Sequence, residues 1–432
     1  MKSSRRRHLA PGLRLIIGFA LIIALGGILL YLPISHQPGK AISFIDSFFT
    51  SASAVCVTGL STIDCGNTLS TFGSIVLATL IQIGGLGFAS FALFILMLIG
   101  SSNYSEMKLA SEALNSSLGF DIKSIVRTVI ITSVICETIG TILSYQVFIH
   151  DYPSSRALGL SLFHSISSFN NAGFDLLGNF TGLTAYKDNV LLNLTTSFLI
   201  IIGGLGFYVI RDIFVFYRKN KRLKMHTQIV LLMTFSLLFV GTIAFHFSEH
   251  ISWLAAFFQS TTTRTAGFNT IDMSSLSNAG SMLTLVLMFI GASPGSTGGG
   301  VKTTTFFTVI QSIRKIGKHA PVTAFHRTID DNSILKAFMV IVLGIFFTLC
   351  ASCVIFIIEG THFTFLEILF ECISAFATVG LSMGVTTHLS IASKITIMIL
   401  MFIGRLGPLT VTTSWRRSEK HVQYIPEEIL IG

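Results

Sequence analysis

Long apolar stretches recur from one end of this sequence to the other, and they restrict the chain to a membrane fold. Five of them are Leu13–Leu32, Ser74–Ile99, Val190–Tyr217, Gln228–Phe247 and Leu335–Ile358. A helix of about 20 residues crosses roughly 30 Å of hydrocarbon. Charged residues make up only 11% of the 432 positions, against about 25% in soluble globular proteins. The sequence therefore predicts an all-α polytopic membrane protein with no soluble catalytic domain.

The net charge of +9 follows from membrane orientation. Arg5, Arg6, Arg7 and Arg14 flank the first apolar stretch, so the positive-inside rule places the N-terminus in the cytoplasm. The connections between successive spans then lie alternately inside and outside. The inside connections hold most of the 29 Lys and Arg residues, and in the outside connections acidic residues outnumber basic ones. We expect a cytoplasmic C-terminus as well, an outer face that attracts cations, and no binding of nucleic acid.

An internal repeat divides the chain into four units. A phenylalanine, nine residues and a glycine recur at Phe49–Gly59, Phe163–Gly173, Phe257–Gly267 and Phe370–Gly380. A second element then closes an apolar run in each unit, at Ile83-Gly84, Ile202-Gly203, Ile290-Gly291 and Ile403-Gly404. This order predicts a first span, a short helix ending near the glycine, an extended stretch and a second span.

The short helix is the informative part of each unit. About 14 residues make a helix of roughly 21 Å, too short to cross a bilayer, so it must be re-entrant. We expect eight spans and four half-helices in a pseudo-fourfold array. The predicted units cover residues 9–100, 123–217, 225–316 and 333–416, with a cytoplasmic tail over 417–432. Irregular backbone at membrane depth is tolerated where it lines a water-filled cavity or is buried in protein, and four such stretches predict a pore.

The residues that follow each half-helix form a candidate selectivity filter. The negative end of a half-helix dipole favours a cation, and main-chain carbonyls can replace the hydration shell of potassium. The fourth unit begins like the TVGYG filter of potassium channels. The four candidate filter segments are Val57-Thr58-Gly59, Asn171-Ala172-Gly173, Thr265-Ala266-Gly267 and Thr378-Val379-Gly380.

On these residues the chain resembles the membrane subunits of the Ktr/Trk/HKT superfamily of potassium uptake proteins, and among them the KtrB type, because the first unit starts directly at the N-terminus. The resemblance implies four helix–half-helix–helix repeats with one filter glycine each. Sodium-permeable members tend to have serine at the position of Gly59, so the resemblance implies a filter that favours potassium. It further implies a bacterial plasma membrane, sodium as a candidate activator, a homodimer among membrane lipids, and a cytoplasmic KtrA-type nucleotide-binding (RCK) ring. No organic cofactor or covalent catalysis is expected.

The third unit departs from the repeat after Ile290-Gly291. Proline and glycine disfavour a helix, so the sequence predicts a break over Ala292–Thr303. The stretch resembles the family's intramembrane gating loop. It is not a nucleotide P-loop, because Val301 separates the last glycine from the lysine. The residues of the candidate gate are Gly291, Pro294, Gly295, Gly298, Gly299, Gly300 and Lys302, together with Arg405 from the fourth unit.

Arg405 stands where the first two units have Gly85 and Gly204. A charge at mid-helix costs about 2.5–3.5 kcal/mol on insertion scales, so we expect it to face the pore or a partner. The family resemblance implies a positive barrier beneath the filter. The alternative is structural pairing with Glu137 or with loop carbonyls.

Several other polar residues have less specific interpretations. Glu137 alone is too little for a proton relay, and Arg264 is expected to brace the filter backbone. His164 is expected to be packed rather than metal-bound, and a disulfide between Cys56 and Cys65 is an alternative to free thiols. Three acids near half-helix starts are expected to complement the helix dipole and are candidates for concentrating cations: Asp46, Glu367 and Glu371.

Two other functions remain open on the sequence. A cation-coupled secondary transporter would bind its substrate at one or two unwound spans, rather than at four equivalent re-entrant units. A membrane enzyme would need a nucleophile and base or a metal site, for which the sequence offers no credible set.

Overall fold

The computed structural model describes residues 11–87, 90–91, 93, 122–219, 222–316 and 320–413, and these residues are mostly helical. The helices, in chain order, are α1 (Pro11–Tyr31), α2 (Phe44–Cys56), α3 (Cys65–Thr68), α4 (Thr71–Leu86), α5 (Ile122–Phe148), α6 (Ser154–Phe169), α7 (Val190–Leu205), α8 (Phe207–Lys219), α9 (Met225–Glu249), α10 (Trp253–Thr262), α11 (Asn278–Phe289), α12 (Thr303–Ile316), α13 (Asp331–Glu359), α14 (Phe365–Ala377), α15 (Ile391–Leu406) and α16 (Pro408–Thr413). Four 3₁₀ turns lie at Pro33–Ser35, Thr184–Tyr186, Met273–Ser275 and Thr386–His388. A two-stranded hairpin pairs β1 (Thr323–Ala324) with β2 (Arg327–Thr328).

Four long helices carry the hydrophobic exterior. By length and composition α1, α5, α9 and α13 can each cross a membrane, and the bent pair α7 and α8 would make a fifth span among the described residues. Large apolar side chains are exposed on all four long helices, for example Leu21, Ile142, Phe235 and Val342. In a bilayer these side chains would face lipid. The basic residues at 5–7, the connection at 101–121 and the tail at 417–432 lie outside the described residues.

Each long helix is followed by a short helix and then by a second helix, as the repeat predicts. The short helices α2, α6, α10 and α14 have 13, 16, 10 and 13 residues. Side-chain oxygens accept hydrogen bonds from the first turn at most of the starts, which satisfies amides that the helix itself cannot. The capping residues are Ser43, Ser252 and Thr364 for short helices and Ser70, Asn189, Ser277 and Ser390 for second helices.

The second helices are shorter than the sequence predicts. The expectation of one continuous helix over Val190–Tyr217 is wrong, because the chain bends by 92° between α7 and α8. The bend falls at Gly206, whose φ of 91° is in the left-handed region that glycine tolerates. Gly87 and Gly407 end α4 and α15 in the same way, with φ of 78° and 87°.

The third unit breaks over a longer stretch. Helix α11 ends at Phe289 and α12 begins only at Thr303, as the proline and glycines predict. The non-helical residues between them are mostly buried, so this segment lies inside the protein.

The four units close into a ring through their second helices. Each second helix packs against the short helix of the next unit: α4 on α6, α7 on α10, α11 on α14, and α15 on α2. An ion pair of 2.8 Å joins Lys394 of α15 to Asp46 of α2 at the last of these contacts. The four short helices therefore end around a common centre.

Candidate ion-conduction site

The four filter segments have the same backbone conformation. One to three residues after each short helix ends, a residue has positive φ, and two positions later a glycine also has positive φ. The first residues are Val57, Asn171, Thr265 and Thr378, with φ of 57°, 58°, 79° and 52°. The glycines are Gly59, Gly173, Gly267 and Gly380, with φ of 96°, 69°, 82° and 91°. Only glycine adopts such angles freely at the third position.

The segments meet in a closed ring. A Cβ atom on Gly59 would lie 2.5 Å from the carbonyl oxygen of Ala172 and 3.1 Å from the Cα of Gly173. The same contact recurs around the ring, with each glycine against the carbonyl of the next segment's middle residue: Gly59–Ala172, Gly173–Ala266, Gly267–Val379 and Gly380–Thr58. Any side chain at these glycines would collide with a neighbouring carbonyl.

The Ile-Gly element has a packing role beside this ring. A Cβ atom on its glycine would overlap the main chain near the end of the same unit's short helix. The pairs are Gly84–Val55, Gly203–Phe169 and Gly404–Phe376, and each partner stands two residues before the filter. In these three units the second helix therefore contacts the short helix directly beneath the filter. In the third unit Gly291 instead lies against the carbonyl of Gly299.

Hydroxyl groups of the short helices hold the filter backbone, which the sequence analysis missed. The amide of Gly59 donates to Ser53 Oγ at 3.1 Å, and that of Gly380 donates to Ser374 Oγ at 3.0 Å. Ser167 Oγ donates to the Phe174 carbonyl at 2.7 Å. The sequence carried a signal in three units, because a serine stands four places after the repeat phenylalanine: Ser53, Ser167 and Ser374. In the third unit Thr262, one place further on, donates to the carbonyl of Phe268 at 2.5 Å.

A cavity of about 600 Å³ opens above the ring. All four filter glycines line it, together with Asp64, Asp175 and Asp272 from the loops that follow the filters. Burial raises the pKa of the Asp175 carboxyl to about 6, and the nearby charge of Asp64 adds to this effect. These three acids could not be singled out from the sequence, because they become neighbours only when the ring closes.

The three acids that the sequence did single out have structural partners. Asp46 pairs with Lys394, and Glu367 forms a capping box with Thr364. Glu371 is 2% exposed and accepts hydrogen bonds from the hydroxyls of Ser382 and Thr386. It therefore ties the fourth short helix to the loop behind its filter, rather than standing free at the mouth.

The non-helical segment of the third unit crosses beneath the ring and bonds to two other units. The amides of Ser293 and Thr297 donate to the carbonyls of Gly204 and Gly203, at 3.1 and 3.2 Å. The amide of Gly299 donates to Thr378 Oγ1 at 2.8 Å. The loop thus contacts the base of the filter itself.

Two cations hold this loop from below. Arg405 donates to the carbonyl of Thr297 in the loop and to those of Gly84 and Gly85 at the end of α4. Lys302 Nζ donates to the carbonyls of Gly298 and Gly299, at 2.5 and 3.4 Å. The sequence offered Glu137 and loop carbonyls as structural partners of Arg405, and in the structure it bonds to a loop carbonyl.

Glu137 belongs to a separate cluster. It accepts hydrogen bonds from Gln82 Nε2 at 2.8 Å and from Ser133 Oγ at 2.6 Å. Asn170, the residue before the second filter segment, donates to Gln82 Oε1 at 2.7 Å. This cluster joins α4 to α5 and to the end of α6, so it links the first and second units.

Three further expectations have clear outcomes. The expected bracing of the filter backbone by Arg264 is wrong, because its guanidinium donates to Thr234 of α9, a longer reach that the sequence does not reveal. His164 is buried and bonds to Thr196 Oγ1 at 2.8 Å, so it is a packed residue. Cys56 and Cys65 are both free and buried.

A second cavity, of about 560 Å³, lies on the opposite side of the ring and is lined by the loop, Lys302 and Arg405. A ring of filter segments between two cavities, built from four short helices inside an apolar exterior, is the architecture of a membrane protein with a cation pathway.

The chain belongs to the TrkH family of cation transport proteins, whose family model matches residues 21–424. It is 39% identical to the Ktr system potassium uptake protein B of Bacillus subtilis, over 97% of this chain and 96% of that protein. It is 37% identical to the potassium/sodium uptake protein NtpJ of Enterococcus hirae, over 100% and 99%. The crystal structure of the potassium transporter TrkH from Vibrio parahaemolyticus superposes with a TM-score of 0.74 at 17% identity, covering 95% of this chain and 87% of that one.

Proposed function

We propose that this protein carries potassium ions across the membrane through the ring of filter carbonyls. The observation that carries the proposal is the closed ring of Gly59, Gly173, Gly267 and Gly380, each against a carbonyl of the next segment. Close-set carbonyls can replace the hydration shell of the ion, and the short-helix dipoles favour a positive charge at the centre. The potassium uptake activity in the names of the relatives supports the same ion. No covalent step is involved.

We infer that the loop over Ala292–Thr303 is the gate. Its bonds to Thr378 and to the carbonyls of Gly203 and Gly204 keep it beneath the filter, and Arg405 adds a positive charge where an ion would leave. Opening the pathway would require these bonds to break. Lys302 lies at the end of this loop and donates a hydrogen bond to the loop carbonyl of Gly298, so it belongs to the same gate.

The remaining parts of the proposal concern partners and surroundings. The relatives are named as components of a Ktr system, which supports a separate regulatory partner, a cytoplasmic KtrA-type nucleotide-binding ring. We further propose a homodimer in a bacterial plasma membrane with both termini cytoplasmic. The name of the relative NtpJ includes sodium, which favours sodium as an activating ion.

Flux measurements on Gly59→Ser test the proposed selectivity. In liposomes, the wild type is expected to pass potassium or rubidium in preference to sodium. A serine Cβ at Gly59 would lie 2.5 Å from the Ala172 carbonyl, so the filter must widen or shift and the preference for potassium should fall at least about tenfold, or 1.4 kcal/mol. Gly173→Ser should have the same effect at the next position of the ring.

The same assay distinguishes the alternative. A secondary transporter would show flux only with its substrate present, and the glycine variants would change substrate affinity. A folded wild type without potassium flux, or variants with unchanged ion preference, would contradict the proposal.

Deleting Gly295–Gly298 tests the gate. The deletion removes the carbonyls of Thr297 and Gly298, which hold Arg405 and Lys302, so potassium flux in liposomes should rise. Ser296→Ala is the matched control, since it keeps the loop length and the carbonyls of Thr297 and Gly298 and removes only the hydrogen bond from Ser296 Oγ to the Ser293 carbonyl, and its flux should equal the wild type. Unchanged or lost flux in a deletion variant that elutes as intact protein would count against a gate here.

A further inference from the structure

The cavity below the ring has an unbalanced positive charge. Lys302, Lys336 and Arg405 line it, and none of its described lining residues is Asp or Glu. Within the described part of the chain neither Lys302 nor Arg405 takes part in an ion pair. Buried charges in proteins are normally paired, so this cavity has a charge that its own wall does not neutralise.

The two central cations lie side by side. Arg405 donates to the carbonyl of Thr297, and Lys302 donates to the carbonyl of Gly298, the next residue. Carbonyls satisfy hydrogen bonds but carry no net charge, so the repulsion between the two cations persists. Lysine has three N–H donors and arginine five, and both retain donors beyond the bonds described.

The same wall contains the start of a helix. Helix α12 begins at Thr303, and Thr304 and Thr305 of its first turn line the cavity. The amides of a first turn have no partner within the helix, and the dipole makes this end positive. Hydroxyls of Ser296 and Ser333 are also part of the wall.

We propose that this inner cavity binds an oxyanion of the phosphate class between Lys302, Arg405 and the first turn of α12. Arginine and helix N-termini both suit phosphate oxygens, and a cavity of about 560 Å³ has room for such a group. Two ligands could supply this phosphate group: free phosphate from solution and the headgroup of a phospholipid. A bound anion would offset the positive barrier, so it would favour the passage of potassium.

Equilibrium binding of radiolabelled inorganic phosphate to the purified full-length protein in neutral detergent tests this site. We expect saturable binding that weakens at least tenfold in both Lys302→Gln and Arg405→Gln. Lys40→Gln is the matched control, because Lys40 is an exposed lysine that does not line the cavity, and its binding should equal the wild type. Thr305→Asp is a second variant that keeps both cations and places a tethered carboxylate in the cavity, so it should also lose phosphate.

Vesicles distinguish the two sources. Phosphate binding to protein in phosphatidylcholine vesicles that persists when phosphatidylglycerol is added indicates free phosphate as the ligand, and binding that phosphatidylglycerol suppresses indicates a headgroup. Folded wild type without saturable binding, or Lys302→Gln and Thr305→Asp variants that bind phosphate as tightly as the wild type, would overturn the proposal. Potassium flux in the same vesicles is a separate readout: flux without phosphate binding removes this site and leaves the proposed function intact.

Discussion

Gly380→Ala is expected to lower potassium-selective flux sharply. Gly380 has a φ of 91°, and a Cβ atom there would overlap the carbonyl oxygen of Thr58 and lie 2.9 Å from the Cα of Gly59. Unfavourable backbone alone costs on the order of 1–3 kcal/mol, and the collision is with main chain that also belongs to the filter. We expect rubidium uptake into liposomes to fall by more than about tenfold, since each 1.4 kcal/mol on a barrier changes a rate tenfold.

Gly384→Ala is the matched control for this variant. Gly384 lies in the same loop with a φ of 89°, but a Cβ atom there would have nothing within 4 Å. It carries the backbone strain without the collision, so it should retain selective flux. Equal loss in both alanine variants would attribute the effect to strain in the loop and would refute a steric role for Gly380 in the ring.

Arg405→Ala is expected to raise potassium flux. The substitution removes a positive charge from the exit of the filter and also removes the bonds to Thr297, Gly84 and Gly85. Both changes lower the barrier, and we expect flux to increase at least about tenfold, equivalent to 1.4 kcal/mol. Initial rates of rubidium efflux from liposomes at matched protein density give the measurement.

Arg405→Lys separates the two causes. Lysine keeps the charge but lacks the planar fork that reaches several carbonyls together. Low flux in Arg405→Lys would assign the barrier to charge, and high flux would assign it to the bonds that hold the loop. Aggregation of Arg405→Ala during purification, with Arg405→Lys intact, would instead indicate a structural role and would contradict the proposed gate.

The repeat and the register of the filter could be predicted because they depend on local chemistry. A glycine shortly after a short apolar helix indicates a backbone conformation that other residues rarely adopt. The four such glycines occupy equivalent positions in the structure: Gly59, Gly173, Gly267 and Gly380. The break before Thr303 follows equally from its proline and glycines. Where one residue type dictates the backbone, the sequence is sufficient.

The remaining features depend on contacts between distant residues. The bend at Gly206 was missed because the apolar stretch continues on both sides of this glycine. Its left-handed conformation is selected only when the ring is packed. Arg264 was placed on the filter because it is adjacent in sequence, whereas its partner Thr234 lies on another helix. Asp64, Asp175 and Asp272 share one cavity only after three units have assembled.

The closing contact of the ring has a consequence for biogenesis. Lys394 and Asp46 are 348 positions apart, and α15 reaches α2 only when the fourth unit has been inserted. At ribosomal speeds of about 5–20 residues per second, the first unit must wait roughly 20 to 70 s in the bilayer with one side of its short helix uncovered. Chains that terminate before α15 would leave that side open to lipid, so we expect such truncated products to be recognised and degraded before any of them could leak ions.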